Sequence, residues 1–330
     1  LGDVLKGQVR TIFVDSDPAW VHVVSDLRWL DQGKHFLWMS EKDGWRHVYI
    51  VSRSGREERI LTPGDYDVEN IRGVDETSRW LYYIASPDNP TQRYLYRIPL
   101  DGSGKKERLS PSGLPGTHSY ELSPEARWAF HTCSTFTAPP VIALISLPDH
   151  KSLRTLADNA QLLKRLDTLK RGKSEFFRVD IGEGVELDAW AMMPADFNSG
   201  LKYPVLFYVY GEPWGSTVTD SWGGSRYLWH LMLNQQGYIV MSVDNRGTRV
   251  PRGRAWRKII YRQVGILASA DQAAAVRAIV KRWNYIDAER IGIWGGSGGG
   301  AMTLNAMFRY PNLYQTGMAF SAPADQRLYN

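Results

Sequence analysis

A run of β-sheet repeats followed by a β/α sheet is the fold class this sequence predicts. Three observations carry it. Strand-like segments in the first half recur every 46 to 48 residues, buried strands alternate with helices in the second, and a Gly-Gly-Ser-Gly-Gly turn around Ser297 joins a strand to a helix. The chain has 330 residues, enough for two domains, and a hydrophobic share of 43% makes it globular rather than disordered.

The repeat is read from aligned segments. Phe36-Leu37-Trp38-Met39-Ser40 recurs as Tyr82-Tyr83-Ile84-Ala85-Ser86 and again as Phe130-His131-Thr132-Cys133-Ser134. Val51, Ile98 and Ile145 mark a second strand in each copy, at spacings of 47 residues. Lys42-Asp43-Gly44, Arg53-Ser54-Gly55 and Asp101-Gly102-Ser103-Gly104 are hairpin turns, and Arg59–Thr62 and Glu107–Ser110 are third strands. A multi-strand unit of this period is the signature of β-propeller blades. Three repeats and a remnant before Asp26 do not close a ring, so these are expected to be the last blades only, with others upstream. A β-sandwich is the rival, and the repeat argues against it. Trp29, Trp38, Trp45, Trp80 and Trp128 are read as blade packing.

Asp158–Arg171 reads as a polar helical crossing between the halves. The expected domains are 1–165, a partial propeller, and 166–330. In the second, Phe176–Met193 reads as a hairpin turning near Gly182-Glu183-Gly184. Pro204–Tyr210 and Tyr238–Val243 are near-continuous apolar runs, as in strands covered on both faces. Tyr227–Gln236 is an apolar helix stopped by Gly237, and Leu267–Trp283 is an Ala-rich helix. Gly317–Ser321 reads as a last strand.

Between the final helices lies Arg290–Pro311. Ile291, Ile293 and Trp294 form a buried strand, and Ala301–Tyr310 a helix stopped by Pro311. Gly295-Gly296-Ser297-Gly298-Gly299 fits G-x-S-x-G, the turn that lifts a nucleophilic serine above an α/β-hydrolase sheet. A Gly/Ser run can also be a flexible linker, but a linker is not pinned between a buried strand and an apolar helix. The second half is therefore expected to be the N-terminal part of an α/β-hydrolase domain, through the nucleophile elbow. Ser297 is the candidate nucleophile, with helix N–H groups behind it where an oxyanion would form. A second oxyanion donor belongs in the loop Tyr210–Gly215, where Tyr210 either offers its hydroxyl or simply packs.

A serine needs a histidine base and a carboxylate behind it, in the chain order Ser, Asp/Glu, His. None of the seven histidines follows Ser297; six lie in the first half and His230 in an apolar helix, all read as structural or surface groups. Asp325 is the one acid after Ser297, too near the elbow for the usual triad acid. The triad Asp and His are therefore expected beyond Asn330.

Composition narrows the rest. The single Cys133 excludes an internal disulfide framework. No apolar run reaches the length of a membrane span. LGDVLKGQVR lacks the apolar core of a signal peptide and starts without Met, so an upstream beginning is expected. Net charge is +5, with a basic run from Arg246 to Arg262, read as a solvated loop and helix face rather than a nucleic-acid patch. No metal or other cofactor is expected, because no His/Cys/carboxylate cluster has ligand spacing.

Together these residues resemble the prolyl oligopeptidase family, in its dipeptidyl peptidase IV branch. The resemblance runs along essentially the whole chain. It rests on Ser40–His47 (SEKDGWRH), Lys202–Pro213, Val243-Asp244-Asn245-Arg246-Gly247, Arg290–Gly295 and Asp325–Tyr329 (DQRLY), in order and spacing. It implies a serine exopeptidase that releases N-terminal dipeptides, usually after Pro or Ala, from peptides with a free N-terminus. Carried over, Ser297 is the nucleophile, the Gly298 N–H and the Tyr210 hydroxyl form the oxyanion hole, and Tyr329 lines the pocket for the penultimate side chain. Family members usually carry an aromatic residue where this chain has Gly296, and their amine-binding Glu pair and triad Asp and His have no counterpart here. The resemblance thus implies a fragment that is inactive alone, with a homodimer and a bacterial periplasmic setting common among relatives. The alternatives are an endo-acting or acylaminoacyl peptidase or esterase of the same superfamily, or a non-catalytic propeller–hydrolase binding protein.

Overall fold

Short alternating strands between Gly- and Asp-rich turns fold into antiparallel meanders across the first half. The protein is described by a computed structural model covering residues 2–3, 7–24, 27–325 and 327. After a two-stranded ribbon of β1 (Gly2–Asp3) and β2 (Gln8–Val9) come three four-stranded sheets. The first holds β3 (Arg28–Leu30), β4 (His35–Ser40), β5 (His47–Ser52) and β6 (Glu58–Ile60). The second holds β7 (Val68–Asp75), β8 (Trp80–Ala85), β9 (Tyr94–Pro99) and β10 (Glu107–Arg108). The third holds β11 (Thr117–Leu122), β12 (Trp128–Thr135), β13 (Ala138–Ser146) and β14 (Ser152–Ala157). Each strand pairs with its sequence neighbour, the arrangement of a propeller blade.

The burial pattern shows why these strands look apolar on both faces. In β8, Leu81, Tyr83 and Ala85 pack into a core shared with the first sheet, alongside Leu37, Val48 and Ile50. Tyr82 and Ile84, pointing the other way, join Ala129, Ala143 and Ile145 of the third sheet. Alternate side chains of one strand thus serve two cores, because the pleat sends successive residues to opposite faces. Four of the tryptophans expected to pack do so at least partly, but Trp128 is 49% exposed, standing on the solvent side of its strand.

Contacts divide the chain into two units. One comprises Leu1–Cys133, Val141–Ala157 and Pro251–Ala255; the other comprises Ser134–Pro140, Asp158–Val250 and Trp256–Asn330. In the second, α1 (Ala160–Asp167) leads to β15 (Ser174–Asp180) and β16 (Glu186–Met192), the expected hairpin. Then come β17 (Tyr203–Tyr208), α2 (Ser225–Gln235), β18 (Ile239–Val243), the short α3 (Gly253–Lys258), α4 (Leu267–Arg282), β19 (Ile286–Gly296), α5 (Gly298–Arg309) and β20 (Thr316–Phe320). They build one six-stranded sheet in the order β15-β16-β18-β17-β19-β20. The first two pairings are antiparallel and the last three parallel. The inner strands are buried on both faces, which explains their unbroken Val, Ile, Leu and Phe runs.

The basic run departs from the expected solvated face. Arg257 and Lys258 are buried. Arg246 grips Asp271 through two hydrogen bonds of 3.0 and 2.7 Å, and Arg254 forks onto Asp17 at 2.6 and 2.7 Å. A run of like charge looks solvated only until the chain brings distant carboxylates to it.

Candidate active site

The elbow occupies the junction between β19 and α5. Ser297 has φ 55° and ψ −122°, a backbone state that L residues rarely adopt, and it is exposed. Holding it there costs about 1–3 kcal/mol. Three hydrogen bonds resist relaxation: the Ser297 N–H donates to the Phe320 carbonyl at 2.8 Å, and the Gly300 and Ala301 N–H groups donate to the Ser297 carbonyl at 2.8 and 3.1 Å. The N–H groups of Gly298 and Gly299 stand at the helix start, where no intrahelical acceptor exists.

The glycines let this turn press against the end of β17. A Cβ on Gly295 would stand 2.4 Å from the Val209 carbonyl oxygen, and one on Gly299 2.2 Å from the same atom. A Cβ on Gly298 would stand 2.3 Å from the Glu212 carboxylate. The contacts at Gly295 and Gly299 are with backbone, so no side chain fits there, whereas at Gly298 the Glu212 side chain would have to move. Gly296 differs: a Cβ there would meet the Phe320 ring edge at 3.3 Å and the Phe320 carbonyl oxygen at an ordinary 3.8 Å. The position where the resemblance leads one to expect an aromatic residue is therefore one that an ordinary residue could occupy.

Because β17 and β19 are parallel neighbours, with Tyr208 beside Trp294, the loop after β17 arrives beside the elbow. Tyr210 opens that loop. Burial raises its phenol pKa, and the negative charge of Glu212 raises it further. The hydroxyl therefore stays protonated at neutral pH and remains a donor. Tyr210 and Gly296 line one cavity of about 910 Å³ with Tyr208, Trp229, Trp294 and Phe320.

A buried polar network fixes this loop. Asn245 Nδ2 donates to the Gly211 carbonyl at 3.2 Å. Gln272 Nε2 donates to the Val243 carbonyl at 2.7 Å and to Asn245 Oδ1 at 3.0 Å. Asp244 accepts from the Thr217 N–H and hydroxyl at 2.8 and 2.9 Å and from the Val218 N–H at 2.9 Å. The motif Val243–Gly247 thus reads as a clasp: Asn245 ties the start of the loop at Gly211, Asp244 ties its later part at Thr217 and Val218, and Arg246 anchors the motif to α4 through Asp271. Sequence reasoning singled out the motif but not these roles, and it passed over Glu212, which is buried against the elbow.

Ser297, Gly298 and Tyr210 are therefore gathered at the ends of two adjacent strands. Tyr329 lies outside the described residues. His230, the one histidine of this unit, is enclosed by the rings of Trp190, Tyr208, Trp229 and Trp294. Burial pushes its pKa down to about 3, far from a base matched to neutral pH.

Comparison with known proteins agrees with this geometry. Residues 1–140 match the dipeptidyl peptidase IV N-terminal region, and residues 226–330 match the prolyl oligopeptidase family. The crystal structure of Porphyromonas gingivalis dipeptidyl peptidase 4 superposes with a TM-score of 0.89 at 35% identity, covering 97% of this chain and 44% of that one. The chain is similar to the prolyl oligopeptidase family. Among curated members, dipeptidyl peptidase 4 of Arthroderma otae and that of Trichophyton rubrum are each 28% identical over 324 residues, 96% of this chain. The chain spans 41% of the length of these two members. The elbow described here falls inside the second matched region, whereas Tyr210 lies in the stretch between the two matches, at the start of a loop that the parallel pairing of β17 and β19 brings against the elbow.

Proposed function

We propose that this chain carries the nucleophile and the oxyanion donors of a serine dipeptidyl peptidase built on propeller blades and an α/β-hydrolase sheet. The single observation behind this reading is Ser297, exposed at positive φ at the start of α5, with the loop that Tyr210 opens packed against that turn. The sheet order, with one antiparallel hairpin followed by crossing parallel strands, supports the hydrolase assignment. In the reaction, the Ser297 oxygen attacks the carbonyl carbon of the scissile peptide. The Gly298 N–H and the Tyr210 hydroxyl take the developing oxyanion; the adduct collapses with cleavage of the C–N bond, the amine leaving with the proton given up by Ser297, and water then hydrolyses the acyl-enzyme to the free dipeptide and the serine. None of the seven histidines follows Ser297, so this chain by itself is proposed to lack the general base. The preferred substrates are peptides with a free N-terminus and Pro or Ala in second place.

The test is chromophore release from an Ala-Pro anilide by the full-length gene product and by its Ser297→Ala variant. Activity in the first and none in the second is expected. Equal activity in both sinks the serine assignment. Hydrolysis by the isolated 330-residue chain sinks the claim that it lacks its base.

A further inference from the structure

β12 ends at Thr135 and β13 begins at Ala138, so Phe136 and Thr137 turn the hairpin between them. Neither is Gly, Asn or Asp, the residues that favour so tight a turn. A ring at such a tip ordinarily faces water, yet Phe136 is only 9% exposed. Its segment, Ser134–Pro140, belongs by its contacts to the unit that holds Ser297.

There the tip grips the loop that runs from β17 to α2. The Phe136 N–H donates to Asp220 Oδ1 at 2.8 Å, and the Trp222 N–H donates to Ser134 Oγ at 3.2 Å. The Phe136 ring packs 4.9 Å from that of Trp190 on β16 and edge-on, at 5.7 Å, against Tyr227 of α2, in one core with Val218. Trp190 Nε1 in turn donates to the Thr217 carbonyl at 2.9 Å. Asn245 thus holds the loop at Gly211, Asp244 holds it at Thr217 and Val218, and the hairpin tip holds it at Asp220 and Trp222.

The same loop folds back on its own first residue. A Cβ on Gly215 would stand 3.0 Å from the Tyr210 ring, so the Gly215 backbone lies against that ring. Both residues line the cavity beside Gly296.

We propose, on the reading of Tyr210 as an oxyanion donor, that Phe136 is a positioning residue for the Tyr210 hydroxyl. Seated among Trp190, Val218 and Tyr227, its ring fixes the loop at Asp220 and Trp222, and Gly215 passes that placement to the Tyr210 ring. The hydroxyl must reach an oxyanion that exists only along the reaction path, so a small displacement costs rate rather than binding.

The test is a double-mutant cycle on the full-length gene product, with kcat and KM read on an Ala-Pro anilide. Phe136→Ala should lower kcat by about tenfold to 10²-fold with KM little changed, and Phe136→Leu should restore most of the loss. In a Tyr210→Phe background, where no hydroxyl is left to place, Phe136→Ala should change kcat by less than about twofold. Should Phe136→Ala fail to fold, Ser134→Ala, which removes only the acceptor of the Trp222 N–H, takes its place; its smaller loss should likewise vanish beside Tyr210→Phe. The same fold-loss in both backgrounds, or a loss confined to KM, overturns the proposal. An unchanged kcat in Tyr210→Phe alone removes the donor role of Tyr210 and this proposal with it, while Ser297→Ala reads the serine assignment separately.

Discussion

Ser297 shows how a single residue can trade stability for position. Its φ of 55° is strained for any side chain, yet that strain lifts the hydroxyl clear of the sheet. Ser297→Gly should therefore raise the stability of the chain by about 1 kcal/mol, read as a higher urea midpoint at unchanged m, while removing the nucleophile. A lower midpoint would mean that the turn is not strained. Tyr210 is held as a phenol by burial and by the nearby Glu212 charge. Tyr210→Phe keeps the ring and removes the donor. In the full-length protein it should lower kcat about 10²–10³-fold with little change in KM. A loss confined to KM would place Tyr210 in substrate packing instead.

Between elements, the decisive contact is that of the elbow with the end of β17. Gly299→Ala drives a methyl group against the Val209 carbonyl, where the separation would be 2.2 Å. Backbone on both sides leaves no soft neighbour to yield, so a loss of about 1–3 kcal/mol is expected in denaturant melts. Asp244 works similarly for the loop at Thr217 and Val218. Asp244→Ala leaves three donors without their acceptor, at a cost on the order of 3 kcal/mol. Burial lifts the Asp244 carboxyl from its ordinary 3.8 to about 6. The native state therefore holds more protons than the unfolded state between these values. The contribution of this group to stability is full below about pH 4 and falls as pH rises through about 6. Asp244→Asn should flatten that slope; an unchanged pH profile would assign it to another group.

At the scale of the whole molecule, the reading is of an exopeptidase, and chain ends of substrates test it. Full-length protein should shorten a free peptide two residues at a time, and acetylating the peptide N-terminus should stop the reaction. Internal cleavage of the acetylated peptide would move the assignment to an endo-acting member of the family. The fold supporting this was legible in outline. The spacing of Val51, Ile98 and Ile145 marks equivalent strands of three successive sheets, and a period of several strands survives in one dimension because each sheet is a meander of sequence neighbours. The helices α2, α4 and α5 and their partner strands lie near their expected bounds, since length and apolar runs separate them from strands.

Local pattern alone determined the elbow, the blade repeat and the β/α alternation, because each is written in residues close together in the chain. Tertiary structure decided what depends on distant residues meeting. It brought the loop that Tyr210 opens against the elbow through the parallel pairing of β17 with β19. It buried Arg257 and Lys258, and matched Arg246 and Arg254 with Asp271 and Asp17, where a row of positive charge had suggested a solvated face. It also brought His118 against His131 across the pairing of β11 with β12. Hairpin register, not sequence spacing, sets which side chains face one another across a sheet.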